Sequence, residues 1–148
     1  MTHQLNFIYN DSDWIAPAEY PDLSQATEIA IDLETKDPNI KTKGPGWATF
    51  DGHIVGFAVA ALGQQWYFPI AHDAGGNMDL SITCAWMQDI LKTDATKIFH
   101  NASYDVGWLL VNGFEIRGKI VDTMIAAAII NENRFSFSLN ACAKDYLG

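Results

Sequence analysis

Apolar and polar positions alternate most clearly at Ile29-Ala-Ile-Asp32-Leu-Glu34-Thr35. Successive strand side chains point to opposite faces, so Ile29, Ile31 and Leu33 line one side of a strand while Asp32 and Glu34 share the other. Two more runs, Ile54 to Ala60 and Trp66 to Ile70, predict antiparallel strands, with Asp51-Gly52 as a hairpin turn leading into the first. From Ser81 to Leu91 the spacing turns helical: Ile82, Trp86 and Ile90 recur every fourth residue with Met87 and Leu91 alongside, which predicts a packing helix with Trp86 in the core. Ile98-Phe99 is a short apolar strand that stops at a polar turn, and the helix after it sets Val106, Leu109 and Leu110 on one side with Asp105 in its first turn. Lys119 to Val121 predicts another strand, Asp122-Thr123 a cap for a helix from Met124 to Ile130, and Ser138 to Leu147 a last helix. Leu5 to Tyr9 predicts an edge strand within a lead-in over residues 1–28, ahead of one domain over residues 29–148. Strands alternating with helices imply an α/β chain with about five strands.

Composition narrows the classes. With 148 residues, 49% of them hydrophobic and 12% aromatic, the chain can build one real core and disorder is excluded. No apolar run approaches the roughly 18 to 20 residues that span a bilayer, and a start containing Asn6, Asn10, Asp11 and Asp13 lacks a basic-then-apolar signal, so a cytoplasmic chain with no membrane partner is expected. Cys84 and Cys142 sit far apart in apolar helical patterns and read as reduced core thiols. A net charge of −9 with nine basic residues argues against a free-standing nucleic-acid binder, since affinity for phosphates is built from Lys and Arg. A site that holds divalent cations can still be acidic, because the cations meet the phosphate.

The chemistry gathers at the first strand. Asp32 and Glu34, with side-chain origins roughly 7 Å apart, repel each other unless something positive lies between them, and a hard divalent cation is the usual solution. Asp105, at a strand-to-helix connection, can be aimed at the same end of the sheet. Lys36, Lys41 and Lys43 lie in a turn rich in Gly and Pro beside the acidic strand and could meet a phosphate backbone. Trp47 either offers a base a stacking face or packs back on the body. His72, Asp73 and Gly75-Gly76 lack the spacing of a phosphate loop and read as a surface turn.

Asp32-x-Glu34-Thr35 resembles the first motif of the DEDD 3′-to-5′ exonucleases, and Asn101-x-x-x-Asp105 resembles the second in the form carried by family A DNA polymerases. Tyr67-Phe-Pro-Ile-Ala-His72, Asp122-Thr123-Met124 and the segment from Leu139 to Gly148 extend the resemblance, and Gly44-Pro-Gly-Trp47 is similar to the phage-like branch. It covers Glu28 to Gly148 and implies an RNase H-like mixed sheet flanked by helices, incomplete at the carboxy terminus. It implies a proofreading exonuclease that hydrolyses the 3′-terminal phosphodiester of single-stranded DNA with two divalent ions, Mg²⁺ or Mn²⁺, beside a linked or associated polymerase domain. Asp32, Glu34 and Asp105 would be catalytic and metal-binding, with Thr35, Asn101 and the three lysines on the substrate. The family's third motif, a Tyr followed four residues later by an Asp, does not follow Asp105, so the resemblance implies a truncated domain with little or no activity alone. It also implies that apolar faces on Ile125, Ile129 and Leu139 are left open. A non-catalytic RNase H-like interaction module and an RNase D-like exoribonuclease are the alternatives.

Overall fold

A computed structural model describes residues 14–148. The strand expected at Leu5 to Tyr9 lies outside them. Strand β1 (Glu28–Lys36) takes the middle of a five-stranded sheet of order β3-β2-β1-β4-β5. Asp32 and Glu34 share its even face, and on the odd face Ile29, Ile31 and Leu33 are buried, as the period of two requires. On one side it pairs antiparallel with β2 (His53–Ala61), which turns back into β3 (Gln64–Pro69). The tight turn of that hairpin is Leu62-Gly63, with φ of 54° and 73°, while Asp51-Gly52, ahead of β2, ends the long connection from β1 and is not itself a hairpin turn. Two successive positive φ values match the right-handed twist of the strands, which makes this the natural place for a two-residue turn. On the other side β1 runs parallel to β4 (Thr96–Phe99), and β4 to β5 (Ile120–Asp122). The mixed five-stranded sheet expected from the sequence is the one observed.

Helix α3 (Leu80–Leu91) starts at an Asp79 cap, whose carboxylate accepts from the Ile82 amide at 2.9 Å. Its buried stripe is Thr83, Met87, Ile90 and Leu91, one position round from the stripe expected, and Ile82 faces solvent. The reason lies outside the helix, where Tyr20 donates to or accepts from the Thr83 hydroxyl at 2.7 Å and draws that side inward. Trp86, expected in the core, is half-buried and packs against it, with its ring centroid 4.5 Å from that of Phe68. Helix α4 (Ala102–Val111) also turns further than expected, burying Ala102, Asp105, Trp108 and Leu109 and exposing Leu110. The Gly- and Pro-rich turn is not irregular throughout: it holds two helical turns, α1 (Ile40–Lys43) and α2 (Gly46–Thr49). Trp47 on α2 packs against α4 at Gly107, where a β-carbon would stand 2.5 Å from the indole, so it packs on the body rather than offering a base a face. Helices α5 (Thr123–Ile130) and α6 (Leu139–Leu147) complete the chain and leave Ile125, Ile129 and Leu139 exposed. Cys84 and Cys142 are free thiols, and only Cys142 is fully buried. Among the described residues no helix is long and apolar enough to cross a membrane.

Among the described residues one lysine lies wholly inside. Lys97 on β4 is 0% exposed, and its ammonium donates to the Thr93 carbonyl, to the Thr93 hydroxyl at 3.2 Å and to the Arg117 carbonyl at 2.9 Å. Burial holds the amine below the ordinary lysine range, and Asp94 partly opposes that. The three bonds tie the end of α3 to the segment entering β5. Lys97→Met should therefore destabilise the fold by about 1 to 3 kcal/mol, because two carbonyls lose a charged donor. A urea melt checks this, and an unchanged midpoint would mean that the bonds contribute nothing.

Candidate active site

The β1–β4 ladder extends only to Ala30 opposite Ile98. Beyond it, the Leu33 amide donates to Asp105 Oδ1 at 3.0 Å. A carboxylate from α4 thus takes the place of the next strand, and it does so at the residue between Asp32 and Glu34. Asp105 is 3% exposed, whereas Asp32 and Glu34 stand on the open face. That face forms a groove of about 1010 Å³, floored by Ala30, Ala58, Ala60 and Ile98 and lined also by Asp32 and His100.

Electrostatics follow from this placing. Burial pushes the Asp105 carboxyl up to about 7; the Leu33 amide pulls against it, while the Asp32 and Asp122 carboxylates add to it. Asp32, set into the groove, is also raised by the protein around it, with His100 partly opposing. The Asp32 charge adds to the rise of Asp105, and an all-carboxylate donor set has the chemistry of a hard divalent ion. Among the described residues, no three His, Cys, Asp or Glu side chains stand together as a ready-made metal cluster. Asp105 has turned one oxygen to a backbone amide, which leaves its other oxygen to offer.

The turn that aims Asp105 is built by Asn101 and Asp122. Asn101 adopts the left-handed conformation with φ of 69°, which Asn tolerates better than most residues. Its side-chain oxygen accepts from Ser103 at 3.1 Å. The amides of Asn101 and Ala102 donate to Asp122 at 3.1 and 2.8 Å, and those of Met124 and Ile125 donate to the same carboxylate at 2.9 and 3.3 Å. Burial alone would raise Asp122, but these four amides hold it below the usual carboxylate range. Asp122 is thus a cap shared by the starts of α4 and α5, as expected for α5. His100 closes the end of β4, bonding Thr123 Oγ1 at 2.9 Å and the Phe137 carbonyl at 2.8 Å.

A second network holds the far end of β1. The Tyr104 hydroxyl donates to Asp37 Oδ2 at 2.9 Å and lies 2.8 Å from Thr35 Oγ1, while the Gly46 amide donates to the same Asp37 oxygen at 2.8 Å. With its own proton given to Asp37, Tyr104 receives one from Thr35. Lys36 pairs with Asp73 at 2.9 Å, Lys43 lies 3.8 Å from Asp51, and Lys41 is exposed on α1. Asp105 is therefore brought to Leu33, the residue between Asp32 and Glu34, and Thr35 bonds the neighbouring Tyr104, while two of the lysines engage other carboxylates. Tyr104 and Asp37 escaped the sequence reading; the only signal was a tyrosine directly before Asp105.

A family model described as 3′-5′ exonuclease matches residues 18–148. A DNA-directed DNA polymerase of Pseudomonas phage M6 is 33% identical over 145 residues, 93% of this chain and 22% of that protein. DNA polymerase DpoZ of Salmonella phage PMBT28 is 30% identical over 132 residues, 88% and 19% respectively, so the chain spans about a fifth of each. Among solved structures, Brucella melitensis NrnC with bound Mg²⁺ superposes with a TM-score of 0.61 at 20% identity, covering 86% of this chain and 58% of that one.

The raised Asp105 fixes a pH dependence. A carboxyl near 7 in the fold and near 3.9 in the unfolded chain stays protonated only when folded, so its contribution is present below pH ~4 and lost as the pH rises to about 7, by at most ~4 kcal/mol. Without divalent ions, Asp105→Asn should remove this downward slope in melts taken from pH 4 to 8. Equal slopes in both proteins would contradict the raised value.

Proposed function

Because the chain belongs to the 3′-5′ exonuclease domains of family A DNA polymerases, we propose that it serves to hydrolyse the 3′-terminal phosphodiester of single-stranded DNA in proofreading. The observation that supports this best is the bond to Asp105 from Leu33, the residue between Asp32 and Glu34 on β1. Two divalent ions, Mg²⁺ or Mn²⁺, would supply Lewis acidity there, making water nucleophilic at neutral pH and offsetting charge on the leaving 3′ oxygen. Asp32 would hold them from the middle of the set, Glu34 would hold one and orient the attacking water, and Asp105 would offer the oxygen that Leu33 does not use. Holding these ions would draw the proton off Asp105.

Thr35 and Asn101 would shape the seat of the terminal nucleotide, Thr35 through Tyr104 and Asn101 through the turn before α4. Lys36, Lys41 and Lys43 would give the phosphates a positive approach in a chain of net charge −9. That is little positive charge, and a linked polymerase domain would deliver the strand, as the polymerase relatives suggest. This reading puts the chain in the cytoplasm with its DNA.

Mn²⁺ titration by calorimetry, run on the chain and on Asp32→Ala, tests the reading. Saturable binding that weakens at least about ten-fold in the variant is expected, since an anionic ligand is lost. Any digestion of a 5′-labelled single strand should start at the 3′ end and vanish in the variant. Equal binding by the two proteins would overturn the assignment.

A further inference from the structure

Gly56 sits in the interior of β2 between Val55 and Phe57, with Glu34 as its partner on one side and Pro69 on the other. Glycine weakens a strand interior, and Gly56 is not among the residues with positive φ, so no turn or left-handed backbone demands it. The demand is for space. A β-carbon at 56 would overlap the Tyr67 hydroxyl, which fills the volume a side chain would take. Cross-strand partners carry β-carbons about 4.5 to 5.5 Å apart, so the hydroxyl occupies the position directly beside Glu34.

Two neighbours keep it there. His72 Nε2 bonds the Tyr67 hydroxyl, and the Trp14 ring lies against the tyrosine ring with centroids 5.6 Å apart. His72 is itself clamped, its amide donating to Asn77 Oδ1 at 2.7 Å and its carbonyl accepting from Asn77 Nδ2 at 2.9 Å. Burial and then the Glu34 charge push the phenol up to about 12.

We propose that Tyr67 is a positioning residue for Glu34, its hydroxyl set over Gly56 by His72 to fix the carboxylate on the open face of β1. With His72 donating from Nε2, the phenolic proton is left for the carboxylate or for the water it orients. The inference rests on Glu34 holding a divalent ion, as proposed above.

Tyr67→Phe keeps the ring and removes only the hydroxyl. Its Mn²⁺ affinity by calorimetry should fall about ten-fold, the usual effect of losing a group that orients a ligand, with the thermal midpoint unchanged. In a Glu34→Gln background the same substitution should change the affinity no further, a coupling that a merely structural tyrosine would not show. Wild-type affinity in Tyr67→Phe, a loss that adds in full to that of Glu34→Gln, or a loss matched by a lowered midpoint would each overturn the proposal. If Glu34→Gln itself binds Mn²⁺ like the wild type, the metal assignment of Glu34 fails, and this inference with it.

Discussion

The site depends on one hydrogen bond, from the amide of Leu33 to the carboxylate of Asp105. A strand that outruns its neighbour leaves backbone donors that must be satisfied, and a buried donor without a partner is costly. β1 outruns β4 after Ala30, and α4 answers with a side chain instead of a strand. The carboxylate is thereby taken into the interior next to Asp32, which is what raises it. Capping the strand and building an electrostatic deficit are the same event.

Everything around that bond keeps α4 in place. Asp122 binds the first amides of both α4 and α5, Asn101 supplies the left-handed residue that lets the chain turn, and Tyr104 ties the helix to Asp37 and Thr35 beyond the bulge in β1. Trp47 and Gly107 press the inserted helical turn onto the same helix. A helix held at so many points can present a carboxyl group in one orientation, which is the condition for a preorganised site.

Much of this was legible in the sequence wherever one period governed one face. Ile29 to Thr35 could be read because a strand buried on one side alternates strictly, and the acids at 32 and 34 then had to share the other side. The errors share a cause, which is a polar group drawn inward by a distant partner. Thr83 joined the buried stripe of α3 because Tyr20 reaches its hydroxyl across 63 residues of sequence. Asp105 joined that of α4, so Leu110 turned outward, and hydrophobic spacing alone does not put an acid in a core. Lys97 is the extreme case, a charge in the sheet interior whose partners are carbonyls that no side-chain pattern reveals. The role proposed for Tyr67 was hidden for another reason: it depends on the absence of a side chain at Gly56, on the neighbouring strand β2 and opposite Glu34 in register.

The most direct test is an NMR titration of the Leu33 backbone amide without divalent ions. A bond to Asp105 predicts a downfield amide proton, protected from exchange, whose shift titrates with a midpoint of about 7 and loses that titration in Asp105→Asn. An amide that exchanges freely, or whose shift ignores pH across that range, would show that Asp105 does not cap β1 between Asp32 and Glu34.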